Sequence, residues 1–381
     1  MILRLTLFIL AALLLPACGT KDNVEPPAEL KEIQADLQAK RLWEEDAGSG
    51  TGKYFLRLQP LLYDQKVFVA DAKGQISAFN AETGHQIWSH DTGLQFSGGV
   101  NGGADIIVAG ALEGELAGFS PENGEERWRT TLSSEVVAVS AADSGKLVAR
   151  TNDGTVYGIN IMDGSVAWKY NYNVPALSLR SASVPLVEEG RVIAGLDNGR
   201  LVALSLADGK LLWSKTIASG RGRTELDRMV DIDGVMAQRD GIIYVASYQG
   251  RIAAVNMASG RLVWVHDTSS VNGLTVDSRA VYYTDSESKV WALDKSSGAS
   301  LWKQDALLHR KLSAPVVLNN QVVVADYDGY LHWLSAEDGH IGGRNRIGGS
   351  AVLAAPVVSQ NRLYVLNKAG DLSAWQIRSS E

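Results

Sequence analysis

Cysteine is almost missing from this chain: the single thiol among its 381 residues is Cys18. One cysteine excludes an internal disulfide and any zinc site built from cysteine pairs. Phenylalanine (6) and proline (9) are sparse, whereas tryptophan (10) and glycine (38) are plentiful. That balance favours strands and tight turns over helices. A basic excess is lacking as well, with 36 Lys and Arg against 43 Asp and Glu and a formal charge of −7. Nothing in that composition neutralises a phosphate backbone, so nucleic acid is not an expected partner. With 45% hydrophobic and 21% charged residues, the composition is that of a folded chain rather than a disordered one. No apolar run approaches the ~20 residues that a membrane-spanning helix needs.

The longest apolar run, residues 5–15, follows Arg4 and fits the hydrophobic region of a signal peptide. It leads into Leu15-Pro16-Ala17-Cys18, which resembles the bacterial lipobox, a site cut before a cysteine that then receives lipid. The expectation is a signal peptide over 1–17, a lipidated Cys18 with a polar tether over 18–40, and a folded body over 41–381. A weak helical turn is expected from Glu29. Gly19 follows the cysteine instead of Asp, which by the same resemblance implies the periplasmic face of the outer membrane.

Internal repetition organises the body. Gly74, Gly84 and Trp88 set two spacings, ten residues and then four. The same spacings recur at Gly114, Gly124 and Trp128; at Gly154, Gly164 and Trp168; at Gly199, Gly209 and Trp213; and at Gly250, Gly260 and Trp264. A sixth copy has Ser288 before Gly298 and Trp302. A seventh has Gly329, Gly339 and then Gly343 where tryptophan is due, and an eighth begins at Gly370 and stops short. Within a copy, β-rich runs such as Val67, Phe68 and Val69 alternate with turns. The stretch 75–80 alternates polar and apolar residues, as a half-buried strand does. Four antiparallel strands per ~41 residues is the size of a propeller blade. Trp43 lies 45 residues before Trp88, in phase with the series, and the last copy lacks its tryptophan strand. Pairing 41–46 with 372–377 would close a ring and remove the edges that an open stack leaves. The fold class read from these spacings is all-β, an eight-bladed β-propeller whose last blade is closed by the N-terminal strand.

The Asn/Asp-x-x-(Thr/Asp/Ser)-Gly-x3-Trp segments resemble the tryptophan-docking motif of quinoprotein dehydrogenases, whose eight-bladed propellers use these residues to pack blade on blade. Tryptophans 43, 88, 128, 168, 213, 264 and 302 share that phase and are read as packing rather than chemistry. The enzymes of that family carry long inserts, adjacent cysteines beside the quinone and a Glu/Asn/Asp set for Ca²⁺. This chain offers about 340 residues for eight blades and no second cysteine. No catalytic residue, cofactor or metal site is therefore expected. A phosphate loop around Lys53 fails because Ala47 and Tyr54 stand where Gly and Ser/Thr are required. The run Asp326-Tyr327-Asp328-Gly329 looks calcium-like, but Leu331 occupies the EF-hand glycine position, and a repeat turn is the better reading. The six histidines, 85, 90, 266, 309, 332 and 340, have no metal-ligand spacing.

Function is therefore sought in the loops. Most tryptophan intervals are 38–41 residues, but 43→88 and 168→213 are 45 and 213→264 is 51. The last two are consecutive, so their inserts, 170–183 and 218–234, should stand side by side on one face. Leu177 and Leu179 beside Arg180 suggest a small apolar centre, with acidic residues such as Asp231 and Asp233 as its charged surround. In an extended segment both leucines point the same way. Arg180 could meet a carboxylate on a partner, or Asp231 or Asp233 within the chain.

The lipobox, the short tether, the bare ring and the runs 177–180 and 224–233 together resemble the BamB family of outer-membrane assembly lipoproteins, accessories of the β-barrel assembly machinery (the BAM complex). That resemblance implies a non-enzymatic scaffold which binds the POTRA domains of the insertase BamA, and through it the rest of the complex. It would assist folding and insertion of outer-membrane β-barrels, with contact to nascent outer-membrane proteins a further expectation. The implied contacts are Leu177, Leu179 and Arg180, with Asp231 and Asp233 nearby. A degenerate quinoprotein enzyme and a general periplasmic protein-binding propeller stay open beside it.

Overall fold

A computed structural model describes residues 25–179 and 183–378. Each repeat forms one four-stranded antiparallel sheet, and there are eight among the described residues. The first complete blade has strands Leu61–Tyr63, Lys66–Ala70, Gln75–Asn80 and Gln86–Asp91. Its two middle strands are covered on both faces, because each blade is sandwiched between two others. Val67 and Phe68 are fully buried, and so is Ser77 on the stretch expected to be half-buried. That expectation is corrected: the alternation at 75–80 marks polar groups satisfied inside, since Ser77 Oγ donates to Ser89 Oγ at 2.9 Å.

The ring closes as the repeat phase requires. Ala39–Asp46 pairs antiparallel with Asp371–Ile377, with Trp43 opposite Ala374. The strand begins two residues earlier than the tryptophan phase suggested. Hydrophobic clusters sit between neighbouring blades, not within them. Trp43, Val67 and Phe79 pack with Tyr364 and Leu372, so the closing seam has the same apolar filling as the others.

The docking tryptophans act across blades. Trp43, Trp88, Trp128, Trp168, Trp213, Trp264 and Trp302 each donate the indole N–H to a carbonyl of the following blade, those of Ala81, Pro121, Ile161, Leu206, Met257, Lys295 and Ala336. Each acceptor lies three residues before the second glycine of that blade's repeat, on which the indole rests. At Gly84 a Cβ would stand 2.7 Å from Trp43, and φ is +80°. Glycine is required there twice over, by conformation and by the approaching ring.

The same geometry explains the missing tryptophan at 343. A tryptophan there would dock on the turn between the last two strands of the eighth blade, and that blade has no such turn. Its third strand ends near the C-terminus and its fourth comes from the N-terminus. Incoming chain fills the space instead: the N–H groups of Asp36 and Leu37 both donate to Gly342 O at 3.1 Å. A Cβ on Gly343 would lie 3.1 Å from Leu37 Cδ2.

The described part of the expected tether, residues 25–38, is not a free linker, and it contains no helix, at Glu29 or elsewhere. It is strapped along the last blades. Glu25 meets His309 at 3.0 Å. Arg310 donates to Ala28 O at 3.0 Å, Arg344 donates to Lys31 O at 3.0 Å, and Asp36 meets His340 at 2.8 Å. Leu30 and Leu37 pack against the cores beneath. Cys18, the expected signal peptide over 1–17 and the run 19–24 lie outside the described residues.

Because strands alternate in direction, all blade-to-blade connections share one face with the turns between second and third strands. Ala72 N donating to Gly50 O at 2.8 Å ties one such turn to one such connection. The calcium-like run at 326 is one of these turns: Asp326 Oδ1 accepts from Asp328 N at 3.0 Å and Tyr330 N at 2.9 Å. Three long connections, 47–60, 172–185 and 217–236, build the site on this face.

Candidate functional site

The two consecutive inserts do stand together. Leu179 N donates to Asp231 Oδ1 at 3.3 Å, across 52 residues of chain. The first insert leaves the strand Val166–Asn171 and bends at Ala176 and Leu177. The bend separates the two leucines: Leu177 is 42% exposed, whereas Leu179 is half-buried and lines an axial cavity. The expectation that both point the same way is corrected, since period-two alternation holds only in unbroken extended chain. Arg180 lies outside the described residues, so its pairing is not part of this geometry.

The second insert is anchored in the core between its two neighbouring blades. A 3₁₀ turn at Leu226–Arg228 leaves Leu226 exposed. Beyond it Met229, Val230, Ile232 and Met236 are buried. Ile232 seats on Gly195 so closely that a Cβ there would lie 2.3 Å from Ile232 Cγ2. Asp231 and Asp233 flank Ile232, and both are pulled inside with it, at 1% and 3% exposure. Neither is a rim charge. The sequence pattern around 231–233 reads as polar surface only because Ile232 is what anchors the segment.

The buried aspartates meet a third, Asp197, at the turn before Arg200–Ser205; carboxylate oxygens of the three lie within 4.8 Å of one another. Arg150, on the strand Lys146–Thr151, supplies a countercharge. Its Nη2 donates to Asp197 Oδ1 at 3.1 Å and to Tyr172 Oη at 2.9 Å. Tyr172 in turn donates to Asp197 Oδ2 at 2.9 Å. Arg150 also reaches Ser183, at the end of the first insert, at 3.4 Å. Burial works against the Arg150 charge, but Tyr172 and Asp197 more than offset it and raise its pKa. Burial, and then the Asp197 charge, push Asp231 up to about 6 and Asp233 well above the usual carboxylate range. Among the described residues, Asp231 Oδ2 and both oxygens of Asp233 have no hydrogen-bond partner.

The third long connection, residues 47–60, crosses the axis of the ring. Arg57 Nη1 donates to Val271 O at 2.9 Å and Nη2 to Asn272 Oδ1 at 3.0 Å, 214 and 215 residues away. Gln59 reaches Ala355 O at 3.1 Å. Burial lowers the Arg57 pKa, and Asp233 opposes that shift. This connection divides the axial space into cavities of about 440 and 300 Å³, and Phe55, Arg57 and Val271 line both. Phe55 is 61% exposed. The 45-residue step from Trp43 to Trp88 signalled this insert, but nothing in its residues pointed to the channel. Arg150, Tyr172 and Asp197 carried no sequence signal beyond an arginine directly after the apolar run Leu147-Val148-Ala149.

Comparison with known proteins places this geometry. A family model described as outer membrane protein assembly factor BamB matches residues 33–95 and 72–304. The chain belongs to the BamB family. Among named BamB relatives, that of Yersinia pestis is 33% identical over 98% of this chain and 99% of its own length. That of Pseudomonas aeruginosa is 35% identical, over 96% and 97%. The crystal structure of BamB from Moraxella catarrhalis superposes with a TM-score of 0.82 at 28% identity, covering 89% of this chain and all of that one. A quinohemoprotein alcohol dehydrogenase from Comamonas testosteroni matches with a TM-score of 0.68 at 13% identity, covering 90% of this chain and 78% of its own, a likeness of fold alone. Among the described residues no helix is long and apolar enough to cross a membrane.

Proposed function

We propose that this chain is a non-enzymatic scaffold of the β-barrel assembly machinery, lipid-anchored through Cys18 on the periplasmic face of the outer membrane. It docks on the POTRA domains of BamA through the paired inserts, and so assists folding and insertion of outer-membrane β-barrels. The observation that carries this reading is the junction of the inserts, where Asp231 holds the backbone of Leu179 and leaves Leu177 exposed on the loop face. Leu177 and Arg180 then serve as contacts. Leu179 and Asp231 set the loop's shape, and Asp233 supports it from beneath. Exposed Leu226 extends the apolar area onto the second insert. A small apolar centre on a preformed loop is the arrangement in which a few side chains dominate binding energy.

The test is calorimetry of the soluble domain with purified BamA POTRA domains, beside melting curves. A Leu177/Leu179/Arg180 triple-alanine variant should remain folded and lose binding. Wild-type affinity in that folded variant would move the interface elsewhere on the ring.

A further inference from the structure

The carboxylates beneath the inserts are more numerous than docking or folding requires. Asp233 lines the cavity of about 440 Å³, whose walls beside it are Leu179, Val184, Val235 and Val271. It is 3% exposed, and neither carboxylate oxygen has a partner among the described residues. Among the described residues, the charges around it do not balance. Asp197, Asp231 and Asp233 bring three negative charges, against Arg150 and Arg57. Arg150 directs its donors to Asp197, Tyr172 and Ser183. Arg57 directs its donors to Val271 and Asn272. One negative charge and three acceptor oxygens are left over on Asp231 and Asp233. Buried charge of this kind is expensive unless something pairs with it.

We propose that this axial cavity is a receptor for an arginine or lysine side chain of a docking protein, its aliphatic stem against the valines and Leu179 and its cationic end on Asp233. The shape and the chemistry agree. The stem of such a side chain buries apolar surface while its head stays polar, and a guanidinium supplies the N–H donors that Asp233 lacks. A divalent ion fits less well. It would overbalance the single unpaired charge, and Ca²⁺ takes six or more oxygens where three stand free. Without a ligand, burial favours the protonated form of Asp233, whose carboxyl is held well above the usual carboxylate range. On binding, the carboxylic O–H breaks, the proton leaves to solvent and the carboxylate accepts N–H bonds in its place. The groups facing Asp233 are Asp197, Asp231, Arg150 and Arg57, with Glu135 on the same cavity wall and Tyr172 behind Asp197. The proposal concerns the same face as BamA docking, but does not require BamA to be the source of the side chain.

The experiment titrates the purified protein at pH 7 with Ac-Ala-Ala-Arg-Ala-Ala-amide and with its citrulline counterpart, by calorimetry in two buffers of different ionisation enthalpy. The arginine peptide should bind at least tenfold more tightly, with a buffer-dependent heat that reports proton release. Asp233→Asn should reduce that affinity tenfold or more without lowering the melting temperature. Val235→Trp, which fills the cavity and leaves the carboxylates in place, should also abolish binding, and it serves if Asp233→Asn does not fold. Equal binding of the two peptides, or none, would overturn the proposal. So would a melting temperature raised by Ca²⁺ in wild type and not in Asp233→Asn, which would make the cluster a metal site. BamA calorimetry alongside separates the two readings. Retained BamA binding with a silent peptide sinks the receptor alone, and peptide binding without BamA affinity sinks the docking reading alone.

Discussion

Trp43→Ala tests whether the N-terminal strand is what shuts the ring. The indole is 9% exposed, rests on Gly84 and lies 6.0 Å from the Tyr364 ring. Truncating a buried tryptophan to alanine costs about 3–5 kcal/mol from lost burial and the cavity left behind. The lost hydrogen bond adds little. Its acceptor, Ala81 O, also receives Tyr364 Oη at 3.1 Å and Arg362 Nη1 at 3.3 Å, so it is not orphaned. Unfolding entropy scales at roughly 2 cal/mol/K per residue, so a ring of about 340 residues loses ~4–7 °C in melting temperature. Trp43→Phe, which keeps most of the ring area, should cost about a third of that. The closing pair should also loosen locally, because the strand Ala39–Asp46 is the edge of its sheet, paired with Asp371–Ile377 alone, and the Trp43 dock backs that pairing. Amide exchange of 371–377 should accelerate more in Trp43→Ala than in Trp264→Ala, where the dock joins two blades that are each one continuous stretch of chain. Differential scanning calorimetry and hydrogen exchange with mass spectrometry supply the readings. A melting shift under 1 °C, or equal exchange at 371–377 in the two variants, would refute the reasoning.

Leu177→Ala and Arg180→Ala should each weaken BamA binding by roughly tenfold, about 1.4 kcal/mol, at unchanged melting temperature. Asp231→Ala should weaken it through the loop, so that Leu179 becomes more accessible to protease even without BamA. Because Asp231 is raised to about 6 in the folded state, that state holds more protons than the unfolded chain between about pH 4 and pH 6, and Asp233, held well above the usual carboxylate range by burial, extends that excess to higher pH. Stability contributed by these groups is therefore present at low pH and lost as pH rises through that window, the reverse of a salt-bridged carboxylate. Urea titrations across it should show the fall in wild type and a shallower one in Asp231→Asn. Cys18→Ala should leave the protein unprocessed or soluble, and membrane fractionation that still finds a processed outer-membrane form would refute the anchor.

How much of this could be read from the sequence depends on whether a contact recurs at a fixed offset. Gly84 and its counterparts repeat because each blade poses the same local demand, a left-handed turn beneath an incoming indole. Trp43 in phase and a truncated last copy therefore sufficed to place eight blades and the closing strand. The first glycine of each repeat answers a separate demand, a left-handed residue in the turn between second and third strands, and Ser288 meets it with φ +71° while its Oγ accepts from Lys311 N at 2.9 Å. The lengths of the inserts were likewise legible, and with them the face on which they meet. Contacts made only once were not legible. Arg57 meets Val271 across the ring axis, 214 residues away, and no spacing encodes that. Asp231 and Asp233 read as surface charges until Ile232 is seen buried on Gly195, which carries its neighbours inside with it. Tertiary packing decided which insert side chains stay outside, which carboxylates are buried, and that Leu37 takes the space at position 343. Burial depends on what the rest of the chain places overhead, and period and propensity report only what a segment demands of its neighbours.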